Sequence, residues 1–356
     1  MNVVRENVAH SMKKLSTLAA FVMALSLSAR SQMTAATSGT NFVLIPSASW
    51  NCGMPDGIPT PESGTLVFTA KLKYESHDLG TTPFGKRRVF VLSEGTGTGD
   101  KLNAKIMSGG LDFELKFANG AMELEQVLVL KTDDGKFIYL KTLGTAANSN
   151  DLRVVADFEA PTASNYGWIN SGRYVGRRQL DEAAQTMTLT VFDLTSVTNS
   201  LNTANSVRVK KPDSVPNQPL DFRHAGSAEK RGDAIVTEEV TLGASQSVGA
   251  TKLGGRNIIP ITGGTLHGKI SGKVLAGGAD YQHLGNPVTL DARYLWQTDD
   301  GEVIIVRNGG PISSLAPVFE ANVDGKYAWL NSGKYLSTPP SMRAGAVSLT
   351  FYESKE

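Results

Sequence analysis

Cysteine is nearly absent from this chain: Cys52 is the one thiol in 356 residues. No intrachain disulfide can form, and with no histidine motif beside it the thiol reads as packed or incidental rather than nucleophilic. An excess of one charge is lacking too, since 35 Lys and Arg face 34 Asp and Glu. That balance, with no basic stripe interleaved with aromatics, gives nucleic acid or an anionic membrane no footing. Histidine is sparse. His77, His224 and His267 have no chemical motif around them, and His283, three residues past Asp280, reads more readily as solvated than as a proton-transfer partner. No His/Cys/carboxylate cluster has metal-ligand spacing. There is no Gly-x-Ser-x-Gly elbow, P-loop or dinucleotide fingerprint in a strand–turn–helix context. Gly95-Thr96-Gly97-Thr98-Gly99 has a phosphate cradle's composition but no helix after it, and reads as a flexible loop. Neither metal nor cofactor is expected.

Long apolar runs are also missing. The longest, Leu15 to Leu27, is too short for a comfortable membrane span. Lys13 and Lys14 precede it, and small residues lead from it to Gln32. A basic head, a short apolar stretch and a small-residue exit form the layout of a signal peptide, expected over residues 1–32, with export or a secretory lumen as the destination. The mature protein is then expected to have no membrane partner.

What the chain does have is glycine, 36 residues set between short apolar runs, and a repeat. Gly109-Gly110-Leu111-Asp112-Phe113 returns as Gly277-Gly278-Ala279-Asp280-Tyr281, and Thr132 to Gly135 returns as Thr298 to Gly301. Tyr166-Gly167-Trp168-Ile169-Asn170 returns as Tyr327-Ala328-Trp329-Leu330-Asn331. The separations are 168, 166 and 161 residues, and Gly85 and Arg87 recur as Gly254 and Arg256 at 169. Motifs kept in order at nearly constant spacing mark a duplication. The expected organisation is a first domain over 42–195, a polar, proline-containing linker over 196–234 and a second domain over 235–356.

Both copies read as strand. Leu66 to Tyr74, Arg88 to Leu92, Met122 to Leu130, Phe137 to Thr142 and Met187 to Phe192 are short runs rich in β-branched and aromatic residues. Val288 to Trp296, Val303 to Arg307 and Ala346 to Tyr352 repeat the pattern. Asp-Asp-Gly joins two such strands in each copy, a tight-hairpin signal. One short helix is read near Gln179 to Gln185. The expected fold is all-β, two tandem antiparallel barrels of lipocalin-like or calycin-like architecture, because closure removes sheet edges.

The motifs of the second copy resemble the domain-of-unknown-function 3237 family (DUF3237). They are Gly254-Gly255-Arg256, Gly277 to Tyr281, Ala292-Arg293-Tyr294, Thr298 to Gly301, Asn308-Gly309-Gly310 and Tyr327 to Asn331. The resemblance covers most of 235–356 and, more weakly, 64–195. It implies one compact β-barrel per copy and no particular activity. The first copy departs from the pattern, with Val127 and Leu128 where the second has Arg293 and Tyr294.

Most motif residues have structural uses. Glycines serve bulges and turns, Asp299 and Asp300 a hairpin, and Trp168 and Trp329 are expected to fill core space. The charged residues of the second copy are the candidates for chemistry. Along the strand, Asp291, Arg293, Leu295 and Gln297 share one face, while Ala292, Tyr294 and Trp296 share the other. Charges inside a barrel are costly unless paired or used. If Arg256, Asp280 and Arg293 converge, they form either a stiffening ion-pair network or a catalytic pocket. In the second case the arginines act as electrophiles and Asp280 as general acid/base. Tyr294, Asn308, Tyr327, Trp329 and Asn331 are the candidates for contact with substrate. The function expected is cofactor-free isomerase, cyclase or lyase chemistry on a small hydrophobic or aromatic molecule. A lipocalin-type carrier and a structural secreted protein are the alternatives.

Overall fold

The computed structural model describes residues 57–148, 151–197, 205–208, 210–343 and 345–355. The leader read over 1–32 and Cys52 lie outside the described residues. The first copy folds as strands β1 (Thr65–Thr82), β2 (Gly85–Thr98), β3 (Ala104–Ile106), β4 (Gly110–Lys116) and β5 (Met122–Thr132). It continues with β6 (Phe137–Ala146), β7 (Arg153–Glu159), β8 (Tyr174–Asp181) and β9 (Thr186–Asp193). The second runs β10 (Lys230–Leu242), β11 (Gln246–Thr251), β12 (Gly254–Gly268), β13 (Gly272–Val274), β14 (Ala279–His283) and β15 (Thr289–Thr298). It ends with β16 (Val303–Pro311), β17 (Val318–Glu320), β18 (Tyr335–Ser337), β19 (Ser341–Arg343) and β20 (Ala346–Lys355).

All pairings are antiparallel; most join near neighbours in sequence, as hairpin chains do, while β1–β9 and β10–β20 join the two ends of each copy. In the first sheet β1 bonds to both β2 and β9, so the ring closes. The second ring is open between β17 and β18; nearby, the Ser337 N–H donates to the carbonyl of Leu315, which precedes β17, at 3.0 Å. In the first copy β7 and β8 pair through Ala156 and Tyr174. Pro317 stands at the place of Ala156, and proline has no N–H to donate to a ladder.

Two details depart from expectation. Gln179 to Gln185 is no helix: β8 runs to Asp181 and a tight turn leads into β9, so cross-strand pairing overrides local helix propensity. Gly95 to Thr98 lies within β2, paired with β1 and β3. A Cβ on Gly95 would sit 2.3 Å from the Lys71 carbonyl oxygen, so close strand approach explains the glycine. The two Asp-Asp-Gly hairpins form as expected, with Gly135 and Gly301 at φ +82° and +91°.

Each barrel has its own apolar core, one centred on Phe68, Phe90, Leu128 and Phe158, the other on Trp296, Val306, Phe319 and Phe351. Further clusters join the barrels. Val127, Val129 and Tyr139 pack with Ile258, Ala279 and Tyr281, and Leu79, Val89, Leu111 and Phe113 pack with Leu295 and Ile305. Part of the linker is also packed down: Gln218 is buried against Arg87 and Glu123.

Candidate functional site

Alternation along the strands decides where each candidate points. On β15, Tyr294 and Trp296 enter the core of the second barrel and Ala292 packs against it, whereas Leu295 faces the first barrel. Arg293 therefore points to the interface. Its guanidinium bonds Asp291 at 2.8 Å and also pairs with Glu125 of the first barrel. Glu125 further holds Arg307 at 2.8 Å and Lys141 at 2.9 Å. Burial alone would raise the Glu125 pKa, but Arg293, Lys141 and Arg307 together hold it well below the usual carboxylate range.

Arg256 lies on the same interface. It bonds Glu159 of the first barrel at 2.5 Å and stacks over the Tyr139 ring. The duplicated residue Arg87 makes the reciprocal contact with Glu320 at 2.7 Å. Thr82 donates to Glu320 at 2.6 Å, as Thr251 does to Glu159 at 2.8 Å. The two copies thus meet about an approximate two-fold axis, as two subunits of an isologous dimer would. Neither Arg256 nor Arg293 forms an ion pair with Asp280 among the described residues: the three do not converge, and the arginines form an ion-pair network between the barrels.

Asp280 faces the other way, into the second barrel. Its neighbours Ala279 and Tyr281 occupy the interface, and its cross-strand partner is Ala292. The carboxylate accepts hydrogen bonds from Gln282 Nε2 at 2.8 Å and from the Asp291 N–H at 3.1 Å. Gln282 is held in turn by Asn257 at 2.9 Å. Asp280 is half-buried, and among the described residues no Lys or Arg forms an ion pair with it. Burial pushes its pKa up to about 6.

A second carboxyl inside this barrel was not legible in the sequence. Glu238 on β10 is fully buried and accepts from Tyr294 Oη at 2.6 Å and Trp296 Nε1 at 2.9 Å. Burial raises its pKa to about 7, and burial together with the nearby Glu238 holds the Tyr294 phenol well above its usual value. Glu238 sits in an ordinary alternating strand with no motif around it. The one signal was a glutamate among inward positions shared with Val236 and Val240.

Asn308 also faces this interior, one strand beyond Ala292. Its amide nitrogen lies 3.5 Å from Ser337 Oγ, and its buried carbonyl oxygen accepts no hydrogen bond among the described residues. The remaining candidates make contacts within the fold. Asn331 clamps Ala321 through both its N–H and carbonyl, at 2.8 and 3.0 Å, and Asn170 clamps Ala160 identically in the first copy. Tyr327 donates to Asp300 in the hairpin, and Tyr166 does the same to Asp134. Trp168 and Trp329 are 37% and 39% exposed, contrary to the expected core role. In their short helical turns Ile169 and Leu330 are the residues packed into the cores instead. His283 bonds the Leu253 carbonyl and lies on the interface face of its strand.

The first barrel fills the equivalent space. Asp112 is bonded there by Arg178 at 3.1 Å and by Gln126 at 3.0 Å, all three buried. Gln126 is the cross-strand partner of Asp112, as Ala292 is of Asp280. The strand carrying Arg178 is interrupted in the second copy by Pro339 and Pro340, between β18 and β19. Ala70 and Leu128 stand where the second barrel has Glu238 and Tyr294. In the first copy the place beside Asp112 is thus taken by Arg178 and Gln126, while Val127, at the position of Arg293, lies at the interface.

A family model described as "Protein of unknown function (DUF3237)" matches residues 63–194 and 233–314. A UPF0311 protein of Bradyrhizobium diazoefficiens is 38% identical over 78 residues, 21% of this chain and 51% of that protein. One from Rhodopseudomonas palustris is 43% identical over 79 residues, covering 21% and 52%. A hydroalkoxylation enzyme of Penicillium herquei is 34% identical over 84 residues, covering 23% and 56%. The chain spans about half the length of the curated relatives it matches. Among solved structures, a β-barrel-like protein from Acinetobacter baumannii matches 36% of this chain and 94% of its own, at 22% identity and TM-score 0.33. An enzyme from Penicillium herquei matches 38% and 96%, at 18% identity and TM-score 0.30.

Proposed function

The chain belongs to the DUF3237 family, as two copies in tandem, and from that premise we propose that the interior of its second barrel is an acid/base site for a small hydrophobic or aromatic molecule. The observation that carries this reading is Asp280: a half-buried carboxyl inside the barrel, without a cationic partner among the described residues, with its pKa raised to about 6. Such a group exchanges protons near neutral pH, where general acid/base catalysis is most effective. Tyr294 and Trp296 hold Glu238 in the same interior as a second carboxyl of raised pKa, and Tyr294 feels the charge of both carboxyls.

Two carboxyls of this kind suit the cyclase branch of the reading, and the hydroalkoxylation relative points the same way. A substrate hydroxyl oxygen adds to one alkene carbon while Asp280 takes the hydroxyl proton. Tyr294 turns its hydroxyl proton to the other alkene carbon and is reprotonated by protonated Glu238, and exchange with solvent then returns the proton from Asp280 to Glu238. The product is an isomer of the substrate, so atoms and electrons balance without an external oxidant. Acid/base catalysis supplies about 10²–10⁴-fold, and positioning in the barrel must supply the rest.

Incubation with ortho-allylphenol, followed by gas chromatography for the isomeric methyl dihydrobenzofuran, tests the proposal. Product formed by the wild type and lost in Asp280→Asn supports it. Turnover that survives Asp280→Asn removes the catalytic assignment.

A further inference from the structure

We propose that the second barrel takes a flat organic cation, an aromatic amidine being the simplest case, whose N–H groups sit beside Asp280 as Arg178 sits beside Asp112. This inference rests on the second interior being a small-molecule site and adds a second class of ligand, one that competes with the hydroxyl-bearing substrate for Asp280.

The first barrel supplies the argument, because its own side chains show what satisfies this carboxyl. There the planar guanidinium of Arg178 donates to Asp112 from Nε and Nη2, at 3.1 and 3.5 Å, and lies 5.0 Å from the Phe90 ring centre. Gln126 fills the adjoining space and donates to the same carboxylate at 3.0 Å. The second copy removes both donors. Pro339 and Pro340 interrupt the strand where Arg178 stands, and Ala292 replaces Gln126. A third change adds an anion, since Glu238 occupies the place of Ala70.

The net result is that the arginine is gone while two carboxyls, Asp280 and Glu238, remain, because Gln282 stands where the first barrel has Glu114, the other partner of Arg178 at 2.7 Å. Ala292 in place of Gln126 leaves room beside Asp280. Gln126 is fully buried, whereas Ala292 and Asp280 keep part of their surface open. The cations near β15 do not compensate, because Arg256, Arg293 and Arg307 are all engaged at the interface between barrels. A buried carboxylate without a cationic partner is costly, and a charge-assisted N–H donor is its strongest complement.

The geometry sets the ligand's shape. Asp280, Ala292 and Asn308 are cross-strand neighbours on three successive strands. Strands lie about 4.8 Å apart, so the outer two residues are separated by about 10 Å. The methyl group of Ala292 is the low point between them, which suits a flat six-membered ring. At the far end, the Asn308 carbonyl is a second acceptor that nothing else uses among the described residues.

Isothermal titration calorimetry with benzamidine and with toluene, at neutral pH on the full chain, tests this. Benzamidine should bind the wild type more tightly than toluene, which has the ring but no N–H. Asp280→Asn should weaken benzamidine about ten- to a hundredfold and leave toluene unchanged. Ala292→Gln, which installs the first barrel's amide, should exclude both. Melting curves of the two variants show whether each remains folded. If toluene matches benzamidine, or Asp280→Asn leaves benzamidine binding intact, the ligand class is wrong and the small-molecule site stands. If neither probe binds and ortho-allylphenol is not cyclised, both the class and the site fall.

Discussion

Arg293 of the second barrel is paired with Glu125 of the first, both buried where the two copies meet. The contact joins residues 168 positions apart and lies near the approximate two-fold axis of the duplication. It ties the two barrels together, because each copy neutralises charges that the other has buried.

Removing this hub should therefore cost far more than removing a surface pair. Glu125→Gln leaves Arg293, Arg307 and Lys141 facing a neutral amide. We expect a loss of about 3–5 kcal/mol, as for breaking one partner out of a buried ion pair. Urea unfolding reads it directly. A change below about 1 kcal/mol, within the range of exposed pairs, would show that the interface tolerates the uncompensated cations.

The duplicated aspartates should respond in opposite ways. Asp280→Asn strands no cation, so its stability should stay within about 1 kcal/mol of wild type while turnover is lost. Asp112→Asn takes a partner from Arg178, which keeps Glu114 at 2.7 Å, and should cost about 1–3 kcal/mol with activity unchanged. Thermal melts and the ortho-allylphenol assay on both variants give the comparison. A silent Asp280→Asn in the assay contradicts the site, and an unchanged melt for Asp112→Asn contradicts the filled first barrel.

Stability should also depend on pH through Glu238. Its pKa is raised from 4.5 to about 7, mainly by burial, so the folded state binds the proton more tightly than the unfolded chain. The associated stability is fully present below about pH 4.5 and is lost as pH rises through about 7. Asp280, raised from 3.8 to about 6, acts with the same sign. Between about pH 5 and pH 8 the wild type should lose on the order of 3 kcal/mol relative to Glu238→Gln. Parallel stability curves for the two proteins across that window would show that Glu238 does not titrate there.

The asparagine clamps predict a purely structural effect. Asn331→Ala removes two bonds to the Ala321 backbone and should cost about 1–3 kcal/mol without altering turnover. Asn170→Ala, its counterpart at Ala160, should do the same. Loss of turnover in folded Asn331→Ala would return that residue to the site.

The all-β character, the duplication and the tight hairpins were determined by local sequence. Period-two alternation, glycine at the turns and motifs recurring at near-constant spacing are properties of neighbouring residues, legible without a fold. Asp280 stood out for the same reason, inside a repeated motif. The partners of the charges were decided only by tertiary structure. Alternation shows that Arg293 and Tyr294 point oppositely but not which of them points inward. That choice depends on which face meets the other barrel, and so the arginines that resembled a catalytic set became an interface. Glu238 entered the candidate site because β10 pairs with β12 and β20, bringing it beside Tyr294 and Trp296 more than fifty residues away. Gln126 and Arg178 closed the first barrel in the same manner, from strands distant in sequence. Burial and charge pairing are set by contacts across the closed sheet, and one-dimensional spacing does not encode them.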